Sequence, residues 1–209
     1  MKKTLTSILA LASMTLLALS AQAESLVAGS AEAGKAKAIT CTACHGSAGN
    51  SVNPLWPNIA GQGAPYLLTQ LQAFKAGTRS DPLMTSQAML LSDQDMADLA
   101  AYFESLPSAA QAVANPALVD KAEALYRGGD VSDQIAACIA CHGPTGRGNP
   151  AANYPAIAGQ HSAYAAKQLR DYATGARKSD GKTRMMRDIA AKLSEDEIVA
   201  LASYVQGLR

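Results

Sequence analysis

The sequence predicts an all-α protein that consists of two copies of one helical domain. The pentapeptide C-T-A-C-H at Cys41–His45 recurs as C-I-A-C-H at Cys138–His142, and the two segments hold all four cysteines of the 209-residue chain. Apolar residues recur at helical spacing in both halves, and no stretch alternates convincingly as a strand. The length is sufficient for two domains of about 100 residues each.

The two halves repeat well beyond the pentapeptide. The pattern P-x-I-A-G-Q begins at Pro57 and again at Pro155, 98 residues later. The pair Leu-Ser that starts at Leu91 recurs at Leu193, 102 residues later. A spacing near 100 residues is far too long for a solenoid repeat. The repeat therefore indicates a duplicated domain.

The N-terminus has the features of an export signal. Lys2 and Lys3 precede an apolar run, and Ala21–Ala23 forms an A-x-A cleavage site. We expect residues 1–23 to be removed as a signal peptide, which predicts a periplasmic mature protein. The apolar run is short for a membrane span. An uncleaved anchor is the alternative, and the sequence leaves open a loose association with the membrane.

The mature chain divides into an N-terminal domain at 24–106 and a C-terminal domain at 118–209. The segment 107–117 between them is small, uncharged and flanked by prolines, which is typical of a linker. In the first domain, we expect one helix over 31–44 that carries the first pentapeptide at its end. In the second domain, we expect a short helix from about Ser132 to deliver the second pentapeptide.

Serines mark the start of the last helix in each domain. Ser92 begins a Ser-Asp-Gln-Asp sequence, and Ser194 is followed three residues later by Glu197. Such sequences are typical of capping boxes, in which a serine and an acidic residue satisfy the free amide groups of a helix start. Both serines are therefore predicted helix caps.

The charge of the chain limits its partners. The formal net charge is +1, which gives no case for nucleic acid binding. Residues 24–114 carry a formal charge of −3 and residues 115–209 carry +2. Complementary charge sets the rate and orientation of encounter. We therefore expect each half to dock a different protein partner; ordinary variation of surface charge is the alternative.

The C-x-x-C-H pattern is the attachment signature of c-type haem. Two thiols one helical turn apart can each form a thioether with a haem vinyl group, and the adjacent histidine then binds the iron. We therefore predict two covalently bound haem c groups. The predicted thioether residues are Cys41, Cys44, Cys138 and Cys141, and the predicted proximal iron ligands are His45 and His142.

A haem that transfers electrons needs a second axial ligand, which is usually methionine or histidine. Of the methionines downstream of each motif, only Met84 and Met186 match in the repeat, each eight residues before a capping serine. These two are the predicted sixth ligands. Met89 and Met96 are expected in the core, since methionine commonly fills gaps there. His161 has no histidine counterpart in the first half and is expected to be a solvated or capping residue.

Other uses of the cysteines fit the sequence less well. A four-cysteine zinc site normally has its pairs within a couple of dozen residues, whereas these pairs are nearly 100 apart. A thioredoxin-like dithiol needs a βαβ context, which is missing. Disulfides remain conceivable after export, although a bridge between cysteines only three apart is strained.

Two repeated residue types have two readings each. Pro57 and Pro155 could accept a hydrogen bond from the proximal histidine or merely stiffen a loop. Arg79 and Arg177 could pair with haem propionates or cap the preceding helix ends. The sequence does not separate these readings.

The chain resembles the dihaem cytochrome c4 family over essentially its whole mature length. The resemblance rests on the two C-x-x-C-H-G motifs, the two P-x-I-A-G-Q segments and the blocks from methionine to Leu-Ser. It implies two class I cytochrome c domains that face each other, each with one haem ligated by His45 with Met84 or by His142 with Met186. It also implies electron transfer from a quinol-oxidising complex to a terminal oxidase of a bacterial respiratory chain.

Such a protein is an electron carrier with no small-molecule substrate and no catalysis of its own. The alternative is an enzyme: a dihaem peroxidase, or the haem subunit of a periplasmic dehydrogenase. A peroxidase needs one haem with a vacant or displaceable sixth position, and the occurrence of Met84 and Met186 in register argues for the carrier.

Overall fold

The computed structural model describes residues 26–209, so the predicted signal peptide at 1–23 lies outside the described residues. In this range, five helices belong to each half. In order they are α1 (Ala31–Lys37), α2 (Ile39–His45), α3 (Ala64–Lys75), α4 (Pro82–Met89), α5 (Asp93–Glu104), α6 (Val119–Gly128), α7 (Ile139–His142), α8 (Ser162–Ala173), α9 (Met185–Ala190) and α10 (Glu195–Gly207).

The described chain is helical, as predicted. Between residues 26 and 209 there is no β-strand, and only two isolated β-bridges occur, Asp130 with Ile135 and Asn149 with Tyr154. No helix in this range is both long and apolar enough to span a membrane.

Both predicted capping boxes are confirmed. At the start of α5, the hydroxyl of Ser92 accepts from the amide of Asp95 at 3.1 Å, and the Asp95 carboxylate accepts from the amide of Ser92 at 2.9 Å. Ser194 and Glu197 exchange the same two bonds at the start of α10. Each box satisfies amide groups that the first helical turn leaves without partners.

Two helix predictions are wrong in detail. The helix expected over 31–44 is divided at Ala38, whose amide bonds the carbonyl of Lys35 three residues back and so closes α1 with a tighter turn. The segment from Ser132 is not helical. The carboxylate of Asp130 accepts from the amides of Ser132 and Asp133 at 2.8 and 3.1 Å, which holds a turn in place of a helix.

The last helix of each half is the centre of its core. In the first half, α5 packs against α1 and α3 and buries Leu99 and Phe103. In the second half, α10 packs against α6 and α8, and its Leu201 packs in the same cluster as Tyr126 of α6. The equivalent roles of α5 and α10 agree with a duplicated domain.

A glycine permits the close approach of α1 to α5. A Cβ atom on Gly34 would lie 2.0 Å from the backbone oxygen of Asp98. The side chain of the same aspartate accepts from the amide of Ser30 at 2.9 Å and from Lys37 at 2.7 Å, so it holds both ends of α1. The absence of a side chain at Gly34 is therefore a requirement of this packing.

Reciprocal amide pairing joins the two halves. The side chain of Gln62 donates to the carbonyl of Ala156 at 2.8 Å and accepts from its amide at 2.9 Å. The side chain of Gln160 makes the same pair of bonds with Asn58, at 2.9 and 3.0 Å. Each glutamine lies at the end of a repeated P-x-I-A-G-Q segment, so the repeat places the contact surface of both domains.

His161 also belongs to this contact, and the prediction of a solvated or capping residue is wrong. Its Nε2 lies 2.8 Å from the carbonyl oxygen of Ser51 in the other half. A carbonyl only accepts, so Nε2 carries the proton. Helix α8 begins without a side-chain cap.

We expect Gly34→Ala to lower the free energy of unfolding by about 3 kcal/mol or more, the upper end of the range for overpacked sites. The added methyl group meets backbone atoms of α5, which cannot rotate away. Denaturant unfolding of the holoprotein measures the change. Gly128→Ala is the matched control, since a Cβ there has no atom within 4 Å, and it should change stability by ~1 kcal/mol at most. Equal stability of the two variants would contradict the close approach.

Candidate haem sites

The first candidate site is built at the C-terminal end of α2. One helical turn separates Cys41 from Cys44, and His45 is the last residue of the helix. Gly46 ends the helix with φ of 82°, a conformation that favours glycine, and its amide bonds the carbonyl of Thr42. The turn sends the chain into the loop that returns over the histidine.

The proximal histidine is held by a backbone carbonyl. The Nδ1 atom of His45 lies 2.9 Å from the carbonyl oxygen of Pro57. Because the carbonyl only accepts, Nδ1 carries the proton and Nε2 presents its lone pair. Burial lowers the pKa of His45, although the bond to Pro57 opposes the shift. The side chain is therefore a neutral imidazole with one nitrogen available for a metal.

The second site repeats this arrangement. Helix α7 ends in His142, and Nδ1 of this residue lies 2.9 Å from the carbonyl oxygen of Pro155. Burial again lowers the pKa of the imidazole. The two prolines thus supply the carbonyl acceptors that were one of their two predicted roles. Such a bond orients metal-binding histidines and increases their basicity as ligands.

One feature of the second site has no counterpart in the first. The hydroxyl of the fully buried Tyr126 donates to the carbonyl of Gly143 at 2.6 Å and so fixes the turn that follows the motif. Among the described residues of the first half, no side chain donates to the carbonyl of Gly46, the glycine that follows the first motif. The bond could not be predicted from the sequence because it joins residues 17 apart across the core.

None of the four cysteines forms a disulfide with another, and all four are half-buried. Burial raises the pKa of Cys41 and raises that of Cys138 to about 11. Reactive dithiols have a lowered pKa instead, so the shifts at Cys41 and Cys138 do not favour a redox-active dithiol. In residues 26–209, the only cluster of three or more His, Cys, Asp or Glu side chains close enough to hold one metal ion together is Asp130, Asp133 and Glu197. The four-cysteine zinc alternative is thereby excluded.

The predicted sixth ligands both lie in the first turn of short helices. Met84 is the third residue of α4, and Met186 is the second residue of α9; both are half-buried. Their helices are anchored differently. Asp81 accepts from the amide of Met84 at 3.0 Å, whereas Asp180 accepts from the amide of Arg187 at 3.0 Å and pairs with its side chain at 2.7 Å.

Met186 follows Arg177 by nine positions, whereas Met84 follows Arg79 by five, and the longer segment contains a 3-10 turn at Gly181–Thr183. The axial role of the two methionines stays a prediction. Met96 is fully buried, as predicted for a core residue, but Met89 is 59% exposed and its predicted core position is wrong.

These features fit covalent haem. Each half presents a thiol pair, a buried neutral imidazole with Nε2 available, and a methionine at the start of a short helix. The family model for cytochrome c matches residues 31–107 and 127–209, once in each half. Fold and sites therefore define a protein with two cytochrome c domains.

Comparison with similar proteins identifies the family of the chain. Cytochrome c4 of Azotobacter vinelandii is 50% identical over 190 residues, which covers 87% of this chain and 90% of that protein. The crystal structure of reduced recombinant cytochrome c4 from Pseudomonas stutzeri matches with a TM-score of 0.85 and 48% identity, over 87% of this chain and 100% of that chain. The chain belongs to the cytochrome c4 family. It carries two covalently bound haem c groups.

A relative with a different name is also similar. The thiosulfate dehydrogenase electron acceptor of Stutzerimonas stutzeri strain A1501 is 35% identical over 175 residues, which covers 80% of this chain and 78% of that protein.

Proposed function

We propose that the protein is a periplasmic dihaem electron carrier, with His45 and Met84 as axial ligands of one haem iron and His142 and Met186 as those of the other. The observation that carries this proposal is the same arrangement in both halves: a buried neutral imidazole bonded to a proline carbonyl, and a methionine in the first turn of a short helix. The names of the cytochrome c4 relatives support it.

Haem c supplies a one-electron couple, in which the iron alternates between ferrous and ferric. A methionine ligand favours the ferrous form relative to histidine and fills the sixth position, so oxygen and peroxide have no site to bind. The residues of the chain keep the ligands in place. The carbonyls of Pro57 and Pro155 fix each imidazole, and Asp81 and Asp180 hold the starts of the methionine helices.

The proposed route runs from a quinol-oxidising complex to a terminal oxidase of a respiratory chain. Export follows from the signal peptide predicted at residues 1–23 and agrees with haem c, which is attached outside the cytoplasm. The opposite formal charges of the two halves support different docking partners. In the second half, Lys182 and Arg184 are exposed beside Met186, whereas Leu83 and Leu90 are exposed near Met84.

The second candidate function is the haem subunit of a periplasmic dehydrogenase. The similarity to the thiosulfate dehydrogenase electron acceptor favours it over the dihaem peroxidase. A subunit of this kind also transfers electrons, so the two functions differ in the donor. Mixing the reduced dehydrogenase, and separately the quinol-oxidising complex, with the oxidised protein and comparing the rates of haem reduction distinguishes them.

Removal of a sixth ligand should change one haem at a time. The ferric protein should show the weak far-red absorption band that marks a bond from methionine sulfur to ferric iron. We expect Met84→Ala and Met186→Ala each to remove about half of this band, and the double variant to remove all of it, because each iron has one methionine. Optical spectra of the oxidised holoprotein measure the band.

Met89→Ala is the control, since Met89 is exposed and not a predicted ligand; it should keep the full band. A Met186→Ala protein with an unchanged low-spin spectrum would contradict the ligand assignment. High-spin ferric features in one haem of the unmodified protein would favour a peroxidase.

The charge difference between the halves should separate the two partners kinetically. We expect the rate of electron transfer with one partner to fall more steeply with ionic strength than the rate with the other, because salt screens opposite charges that attract across a contact. Stopped-flow kinetics with the purified donor and acceptor at several salt concentrations measure both slopes.

Single charge changes give the matched comparison. Lys182→Gln, near Met186, should slow the reaction with one partner, and Gln87→Glu, on α4 of the acidic first half, should speed the reaction with the other. Identical salt slopes for the two partners would count against separate docking surfaces.

A further inference from the structure

Two arginines are buried at the contact between the domains. Arg79 is 9% exposed and Arg177 is 5% exposed. Each guanidinium lies over an aromatic ring of its own domain: Arg79 is 4.5 Å from the ring centre of Phe74, and Arg177 is 4.6 Å from that of Tyr172. These positions do not fit capping of the preceding helix ends, which was one of the two predicted roles of the arginines. A buried charge is normally paired with an opposite charge.

The two guanidinium groups share their hydrogen-bond acceptors. Oε1 of Gln70 accepts from Arg79 at 2.8 Å and from Arg177 at 2.9 Å. Oε1 of Gln168 accepts from Arg177 at 2.8 Å and from Arg79 at 3.0 Å. Two nitrogens that bind one oxygen at such distances are no more than about 6 Å apart. Two positive charges therefore lie close together on neutral acceptors.

The remaining partners are also neutral. Nε of Arg177 donates to the hydroxyl of Ser179 in its own domain at 2.9 Å, and the other two partners come from the opposite domain. Arg79 donates to the hydroxyl of Tyr164 at 2.8 Å, and Arg177 donates to that of Tyr66 at 2.7 Å. Within residues 26–209, no aspartate or glutamate forms an ion pair with either arginine.

Some donors of the pair are left over. A guanidinium has five N–H donors. Among the described residues, the Nε–H of Arg79 and one N–H at Nη1 of each arginine find no acceptor. The polypeptide alone thus leaves two adjacent buried cations without a counterion and with free donors.

Haem c brings the missing type of group, because each porphyrin carries two propionate carboxylates. A carboxylate matches the fork of N–H donors on a guanidinium. The chain also keeps Arg79 near the first site. Arg79 is five residues from Met84, so at ~3.6 Å per residue the backbone positions are within about 18 Å of each other.

We propose that Arg79 and Arg177 form one shared cationic centre that binds propionates of both haems and raises the reduction potentials of the two haems together. The sign follows from electrostatics. Oxidation adds a positive charge to the iron, and a nearby buried cation disfavours that charge, so the ferrous form is stabilised. Both arginines contact both domains, which extends the effect of each one to both haems.

The test is a redox titration of the holoprotein, which resolves two one-electron steps. Arg177→Gln and Arg79→Gln should each lower both midpoint potentials. We expect about a tenfold fall in the ferrous-to-ferric ratio at a fixed applied potential, which is 59 mV for a one-electron couple. Arg→Lys at each position keeps the charge without the fork of donors and should restore most of the potential.

The controls separate charge from structure. Lys121→Gln removes an exposed cation of the same domain, which solvent screens, and should leave both potentials nearly unchanged. Burial would raise the pKa of Tyr66, but the charges of Arg177 and Arg79 hold it below its usual value. An ionised Tyr66 is therefore the competing counterion. Tyr66→Phe should shift the potentials little if the propionates are the counterions.

Three results would overturn the proposal. These are a folded Arg→Gln protein with unchanged potentials, a shift confined to one haem step, and a shift with Tyr66→Phe as large as that with Arg177→Gln. The inference rests on the proposed carrier function, and the far-red band shows which of the two proposals has failed. Absence of that band from the unmodified protein would reject the proposed axial ligands. An intact band, with potentials that are unchanged in the Arg→Gln variants, would reject only the cationic centre.

Discussion

The hydrogen bond from each proximal histidine to a proline carbonyl is the constraint on which both sites depend. At 2.9 Å it fixes the tautomer and aims Nε2 away from the loop, while burial keeps the imidazole neutral. The bond requires the chain to turn back over the motif, and Gly46 and Gly143 end their helices with positive φ to allow it. The carbonyl then lies two residues before the I-A-G-Q residues that reach the other domain. Ligand orientation and domain contact are thus set by one continuous segment.

That connection explains why the segment repeats so faithfully while other parts have diverged. Gln62 and Gln160 each bind both backbone groups of one residue in the other half, so a change in either removes two bonds across the contact. The methionine segments face no such double constraint. There, Asp81 caps α4 directly, whereas Asp180 holds α9 through Arg187 after an extra turn. Segments of different length thus place a methionine in the first turn of a short helix in both halves.

Local chemistry was predictable from the sequence, and contacts between distant residues were not. The motifs, the all-helical class and the capping boxes at Ser92 and Ser194 depend on neighbours within a few residues, which the sequence displays. The break at Ala38 and the turn at Asp130 are also local, but each is decided by competing hydrogen bonds of similar strength. His161 was misread, and the two predicted roles of the arginines could not be separated, because all three residues also bond residues of the opposite domain, which a single-domain interpretation does not include.

The polar character of the domain contact has a physical consequence for electron transfer. An apolar contact tolerates sliding, because the hydrophobic effect has no direction. Buried hydrogen bonds lose most of their energy when misaligned, so a network of paired amides, hydroxyls and guanidinium groups favours a single relative orientation. In a protein with one haem in each domain, that orientation fixes the separation of the two irons. The same burial concentrates the electrostatic effect of Arg79 and Arg177, since little water is present to screen it. The contact thus combines a fixed geometry with a strong local field.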